Sequence, residues 1–233
     1  MKNIFVAGSH GFIGQHFVAE ALKKGFGVTA LTSNLSKSKF QEHLNLEVIE
    51  GSVLDSELVN KAMNGSNYLL SAIEDHDEYD PRSLIPDYRV KGTKVLVEAA
   101  KKNNIQKMIS LLGASLLKLH NGPRILDEAD PLPYLDFLGT DIQEARKMWE
   151  TWRVLKESGL NWSAFCPALV TNQTRTGTYQ TKDDEFCDLM THEKVTVGDL
   201  VEAMLAEFDR DEHKGNLIGI RTKGAHDIYT FAL

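Results

Sequence analysis

The chain has 233 residues, 42% hydrophobic and 25% charged, which is ample for a buried core and ordinary for a soluble globular protein. A net charge of −7 argues against the basic face that nucleic acid or an anionic membrane surface requires. No apolar run approaches the ~18 residues that span a bilayer. Met1-Lys2-Asn3 leads straight into a strand pattern rather than a secretory leader. Cys166 and Cys187 show no metal-ligand spacing, so free thiols and a cytoplasmic location are expected.

Taken in order, short apolar runs alternate with helical patterns. A strand over 3–7 leads into a helix over 12–24, then a strand over 27–31 and a short helix near 36–43. A strand over 46–50 follows, then a helix capped by Asp55 and stopped at Asn64-Gly65. A strand over 68–73, a helix over 83–103 and a strand over 107–112 complete the regular half. Residues 113–139, with three prolines, read as a long functional connection. Thr140-x-x-Gln143 has capping-box form and opens a helix to Glu157. A strand over 162–166, an irregular stretch over 167–195, a helix opened by Thr196-x-x-Asp199, a strand over 216–220 and a last strand near 228–231 follow. The alternation predicts an α/β fold of the Rossmann type: a doubly wound parallel sheet in one domain over 1–233. A small irregular C-terminal substrate lobe comes mainly from 113–139 and 167–195.

The first strand runs into Gly8-Ser9-His10-Gly11-Phe12-Ile13-Gly14. A strand turning sharply into a helix leaves the first helical N–H groups and the positive dipole end free for an anion, here the pyrophosphate of a dinucleotide. Gly8 makes the tight turn, Gly11 lets phosphate approach, and Gly14 lets the helix lie close to the sheet. Ligands in such sheets sit beyond the carboxyl ends of the strands. The loops at 8–14, 32–37, 51–55, 72–77 and 112–115 should therefore line one crevice, with Pro167 on its far side. An NAD site usually carries Asp or Glu after the second strand, but Thr32, Ser33 and Asn34 stand there. Ser33, Ser36, Lys37 and Lys39 suit a 2′-phosphate, so NADP(H) is favoured over NAD(H).

These residues resemble the short-chain dehydrogenase/reductase superfamily in its extended or atypical branch. Gly113-Ala114-Ser115, Val154 to Trp162, Cys166-Pro167-Ala168 and Arg175-Thr176-Gly177-Thr178-Tyr179 narrow the likeness to the biliverdin reductase B and NAD(P)H-flavin reductase group. The resemblance implies that Gly8, Ser9, His10, Gly11, Phe12 and Ile13 hold the pyrophosphate and that Ser33 and Lys37 meet the 2′ position. Ser33 replaces the Arg of NADPH-using relatives. It further implies that Ser52 and Val53 flank the adenine, and that Ser52 replaces an Asp common in relatives. Ala72 and Ile73 would run beside the ribose and nicotinamide, Gly113 stands where a serine usually ends the fifth strand, and Cys166 and Pro167 would lie against the nicotinamide ring.

Carbonyl-reducing members need Tyr-x-x-x-Lys, because the reduced carbonyl must receive a proton. The helix opened at Thr140 holds no Tyr, Lys147 has Gln143 four residues earlier, and Tyr134 has Leu138 four residues later. The expectation is hydride transfer to a flavin or similar conjugated acceptor, with no particular catalytic acid. The alternatives are a non-catalytic dinucleotide sensor and a nucleotide-sugar epimerase or dehydratase. Other constellations read more plainly. Glu74-Asp75-His76-Asp77-Glu78 is a solvated acidic turn, Arg124 with Asp127, Glu128 and Asp130 is lid surface, and Trp149 and Trp152 are core or subunit contacts. Contact of Arg153 or Arg175 with a ligand is left open. No metal is expected, the partner is a small molecule, and an oligomer remains open.

Overall fold

A computed structural model describes residues 1–38, 40–75, 85–188 and 193–223, the Lys37 side chain excepted. In chain order the elements are β1 (Asn3–Ala7), α1 (Phe12–Lys23), β2 (Gly27–Thr32), β3 (Leu46–Glu50), α2 (Ser56–Ala62), β4 (Tyr68–Ser71) and α3 (Tyr88–Lys102). β5 (Lys107–Leu111), α4 (Leu132–Phe137), α5 (Ile142–Glu157), β6 (Trp162–Phe165), β7 (Leu169–Thr171) and β8 (Tyr179–Asp183) follow. β9 (Lys194–Thr196), α6 (Val197–Arg210) and β10 (Leu217–Thr222) end the described chain.

Eight strands form one sheet in the order β3-β2-β1-β4-β5-β6-β10-β8. All neighbours are parallel except β10 with β8, which run antiparallel through Ile220↔Thr181. β1 pairs with β2 on one side and β4 on the other, Phe5 facing both Thr29 and Leu69. The chain therefore winds outward in both directions from β1 and β4, and the order reverses beyond Ala7 and Ser71. This is the Rossmann-type α/β fold expected from the alternation.

Strand alternation decides which helices cover which face. Ile4 and Val6 point into one core with Phe17 and Val18 of α1 and Leu200, Met204 and Phe208 of α6. Phe5 and Ala7 point into the other with Val59 of α2, Leu96 of α3 and Leu155 of α5. At the amino edge of the sheet Lys107 is 2% exposed, and its Nζ meets Glu207 Oε1 and Asp211 Oδ1, each at 2.5 Å. Ser163 Oγ and the His213 backbone N–H also donate to Glu207 Oε1, each at 3.0 Å.

Several expectations need correction. The helix near 36–43 is one 3-10 turn, Leu35–Lys37. The helix expected from 83 starts at Tyr88. The cap of α5 is Asp141, whose carboxylate accepts the Gln143 and Glu144 N–H groups, and not Thr140 one residue earlier. Residues 113–139 contain α4 and two 3-10 turns, and 167–195 contain β7, β8 and the start of β9. The capping expectations at Asp55 and Thr196 hold, on Leu58 N–H and Asp199 N–H. Lys39, residues 76–84 and the strand expected near 228–231 lie outside the described residues.

Candidate functional site

The loop between β1 and α1 is shaped by contacts a side chain would destroy. Gly8 has φ +77°, and a Cβ there would stand 2.3 Å from the Ala72 carbonyl oxygen. A Cβ on Gly14 would stand 2.2 Å from the Gly8 oxygen, so Gly14 admits the loop against the helix rather than the helix against the sheet. Gly11 differs: a Cβ there would meet only the Gly8 oxygen at 3.5 Å, which leaves the space above it open. Gly11 is also the N-cap of α1 and brings no capping side chain, so the first-turn N–H groups receive no side-chain oxygen. An open cradle beside uncapped N–H groups at a helix N-terminus fits an anionic pyrophosphate.

Around this loop the expected residues fall into lining and support. Ser9 is fully buried and spends its hydroxyl on the Leu31 oxygen at 2.8 Å, which ties the loop to β2. His10 is 8% exposed, its Nε2 3.4 Å from Ser33 Oγ. Phe12 starts α1, 46% exposed, edge-on to His16 with centroids 4.9 Å apart. Ile13 packs against the α1 face of the core. Ser52 uses its hydroxyl on the Leu54 N–H at 3.1 Å. Val53 and Ile73 are buried, and a Cβ on Gly92 of α3 would sit 2.8 Å from Val53 and 2.9 Å from Ile73. Gly92, the one glycine inside α3, was not singled out by sequence, although a glycine interrupting a helical pattern is the signal for such an approach. The Ala72 N–H bonds the Ala7 oxygen at 2.9 Å, which sets the end of β4 beside the glycine loop.

The acidic stretch after β4 is not a wholly solvated turn. The Asp75 side chain is 4% exposed, and its Oδ1 accepts the Arg89 N–H at 3.0 Å, capping α3. Residues 76–78 of that stretch lie outside the described residues.

α5 buries Ala145, Met148, Thr151 and Leu155. Met148 reaches the end of β5. Its sulfur lies 3.6 Å from Ser115 Oγ and 2.6 Å from where a Cβ on Gly113 would be. A thioether thus covers the end of β5 at Gly113 and Ser115. Tyr134, in α4, packs half-buried against the same core. Cys166 is buried, its backbone N–H bonded to the Ile218 oxygen, and desolvation pushes its thiol up to about 12. It is a packing residue, and Pro167 beside it is half-buried.

Arg124 is not lid surface. It is 6% exposed, donates to the Leu116 oxygen and to Asp184 Oδ1, and lies over the rings of Trp149 and Trp152 at 5.9 and 4.8 Å. The two tryptophans therefore anchor the 113–139 connection to α5. Arg153 is exposed and pairs with Glu150 and Glu157 of its own helix, and Arg175 pairs with Glu202 of α6. Asp199 is buried and fastens the Arg175–Thr178 turn, accepting from Thr176 N–H, Gly177 N–H, Thr176 Oγ1 and Thr222 Oγ1 at 2.7–2.9 Å. Burial opposes its ionisation, and these hydrogen bonds outweigh burial, holding the carboxyl below its ordinary range. Among the described residues no His, Cys, Asp and Glu are grouped to hold a metal, and no helix is long and apolar enough to cross a membrane.

The chain belongs to the NAD(P)H-binding family, whose model matches residues 8–210. It is similar to an N-acetyl-α-D-glucosaminyl-diphospho-ditrans,octacis-undecaprenol 4-epimerase of Escherichia coli O157:H7, 27% identical over 64% of this chain and 43% of the relative. It is similar also to photosystem II assembly factor Ycf39 of Cyanophora paradoxa, 28% identical over 70% of this chain and 44% of the relative. The chain thus spans less than half the length of these curated relatives. Its fold matches a short-chain dehydrogenase/reductase from Veillonella parvula DSM 2008 solved with NADP, at TM-score 0.76 and 19% identity over 97% of both chains. It matches a protein from Streptococcus pneumoniae TIGR4 described as a candidate NADH-flavin reductase, at TM-score 0.74 and 20% identity over 96% of this chain and all of that one. An NAD(P)H-binding, oxidoreductase-like Rossmann fold is what these likenesses establish.

Proposed function

We propose that the chain is an NAD(P)H-dependent reductase that passes hydride to a flavin or a similar conjugated acceptor. A bound nicotinamide dinucleotide supplies the hydride. Gly8 to Ile13 would hold its pyrophosphate through N–H groups at the start of α1, those of Ser9 and Gly11 being taken by the Leu31 and Gly8 carbonyls, with Ser33 and Lys37 at the ribose that carries the 2′ position and Ser52 and Val53 flanking the adenine. Ala72 and Ile73 lie along the central part of the coenzyme, with Gly113, Cys166 and Pro167 beside the nicotinamide. Residues 113–139 and 167–195 form the acceptor side, and the whole chain acts as one domain.

The observation that carries this reading is Met148 against Gly113 and Ser115. Reduction of an isolated carbonyl leaves an alkoxide that must be protonated at once. A thioether cannot donate that proton, and the buried face of α5 carries no Tyr or Lys. A flavin takes hydride on a ring nitrogen, spreads the resulting charge over its rings, and draws its proton from solvent. Such a reaction needs chiefly a surface that holds two flat rings together, so proximity supplies most of the acceleration. The same gap at Met148 argues against epimerase or dehydratase chemistry on nucleotide sugars, which needs a proton shuttle at the sugar oxygen.

The test is to mix the purified chain with NADH or NADPH and free flavin and to follow the absorbance of the reduced nucleotide. Oxidation well above the rate without protein is the expected outcome. Tight nucleotide binding with no turnover on flavins, biliverdin or quinones would instead make the chain a dinucleotide sensor.

A further inference from the structure

The dinucleotide reading leaves open which coenzyme is preferred, and the β2–β3 corner bears on that choice. Glu50 ends β3 and is the register partner of Thr32, which ends β2. Glu50 Oε1 accepts the Leu35 backbone N–H at 3.0 Å, which pins a carboxylate against the start of the Leu35–Lys37 turn. The turn spends its own polar groups internally. Asn34 N–H donates to Thr32 Oγ1 at 3.2 Å, Ser36 Oγ to Asn34 Oδ1 at 2.7 Å, and Ser38 Oγ to Thr32 Oγ1 at 3.2 Å. No arginine occurs between Thr32 and Glu50. Lys37 and Lys39 are the opposing charges in the sequence, and Glu50 itself stands at the strand ends, where the adenosine ribose of a dinucleotide lies.

We propose that Glu50 is the coenzyme-specificity residue of this site: reaching across from β3, its carboxylate disfavours the 2′-phosphate of NADPH and leaves NADH the better ligand. This inference rests on the dinucleotide reading and reverses the preference expected from Ser33 and Lys37. In family members with a carboxylate after β2, that residue both accepts the ribose hydroxyl and repels the phosphate. Here β2 ends in hydroxyl and amide side chains, and the neighbouring strand supplies the charge. Glu50 is exposed, so solvent and salt screen it, and the discrimination should be about fivefold rather than thousandfold.

The experiment is a calorimetric titration of the whole chain with NADH and with NADPH, for the wild type and Glu50→Gln, at low and high salt. Gln keeps an oxygen for the Leu35 N–H and removes only the charge. The wild type should bind NADH about fivefold more tightly at low salt. Glu50→Gln should bring the two affinities close to parity. Added salt should shrink the wild-type preference and leave the variant unchanged. Tighter binding of NADPH by the wild type, or a ratio that Glu50→Gln does not move, overturns the assignment. Should the variant fail to fold, the wild-type salt series decides alone, because a preference for NADH that grows with salt also overturns it. Binding of neither nucleotide overturns the dinucleotide reading itself, and this inference with it.

Discussion

Gly8 and Gly11 sit three residues apart and answer to different demands. Gly8 holds φ +77° with the Ala72 carbonyl 2.3 Å from where its Cβ would be, while Gly11 has ordinary φ and open space. Gly8→Ala should therefore cost the fold about 1–2 kcal/mol from the left-handed backbone alone, and more from the clash. Gly11→Ala should cost the fold no more than about 1 kcal/mol, through a poorer N-cap, and weaken NADH binding, since its methyl enters the cradle. Urea denaturation paired with nucleotide titration separates the two. The glycine triplet was legible in the sequence as a class of site, because it follows a strand and opens a helix. The tight turn at Gly8 was read there too; what was not is the Ala72 carbonyl that constrains Gly8, because Ala72 follows β4 and only folding brings it near. Met148 and Glu50 were illegible for the same reason: each matters through a partner that only the folded sheet brings near.

Among the elements, α1, α2, α3, α5, α6 and the central strands were read from the sequence, through caps and the apolar periodicity that the two cores enforce, and α4 was not. β7 and β9 escaped because each has only three residues, and β8 because after Tyr179 it is polar, so register rather than an apolar stripe defines them. The N-cap of α5 missed by one residue, since Thr140 and Asp141 are both good capping types and only geometry chooses. The 113–139 connection was read as a long one, but its root was not read. That root is Arg124, held by Asp184, the Leu116 carbonyl and two indole rings. Arg124→Ala should take the donor from the Leu116 carbonyl and empty the space over the indoles, while Lys118 still pairs with Asp184, at a cost of roughly 1–3 kcal/mol. Limited proteolysis should then cut between 113 and 139 faster than in the wild type, and an unchanged cleavage rate would deny Arg124 this role.

Across the whole molecule, stability should depend on pH through Glu193. It is 3% exposed, with the Asp188 N–H on Oε1 at 2.6 Å. Burial pushes its carboxyl up to about 7 against the hydrogen bonds from the backbone of Asp188 and Cys187. Between the unfolded value of about 4.3 and about 7 the native state then holds more proton than the unfolded chain. The contribution of Glu193 is thus most favourable at the acid end of that window and falls as pH rises through it, by up to about 3 kcal/mol. The wild-type urea midpoint should fall relative to Glu193→Gln between about pH 4.5 and 7.5, and parallel curves would rule the effect out.

The Lys107 cluster lies at the end of the sheet away from all of this. Lys107, Glu207 and Asp211 join β5 to the end of α6 by charge, with Ser163 of β6 donating into the same carboxylate. Breaking a buried ion pair leaves an uncompensated charge, so these positions tolerate little change. The opposite, carboxyl end of the sheet is built of connections. The molecule thus has two poles, an amino end fixed by buried charge and a carboxyl end fixed only at points such as Gly8, Gly14 and Arg124. Loops over the carboxyl end can diverge to admit a new acceptor while the frame beneath them keeps its shape.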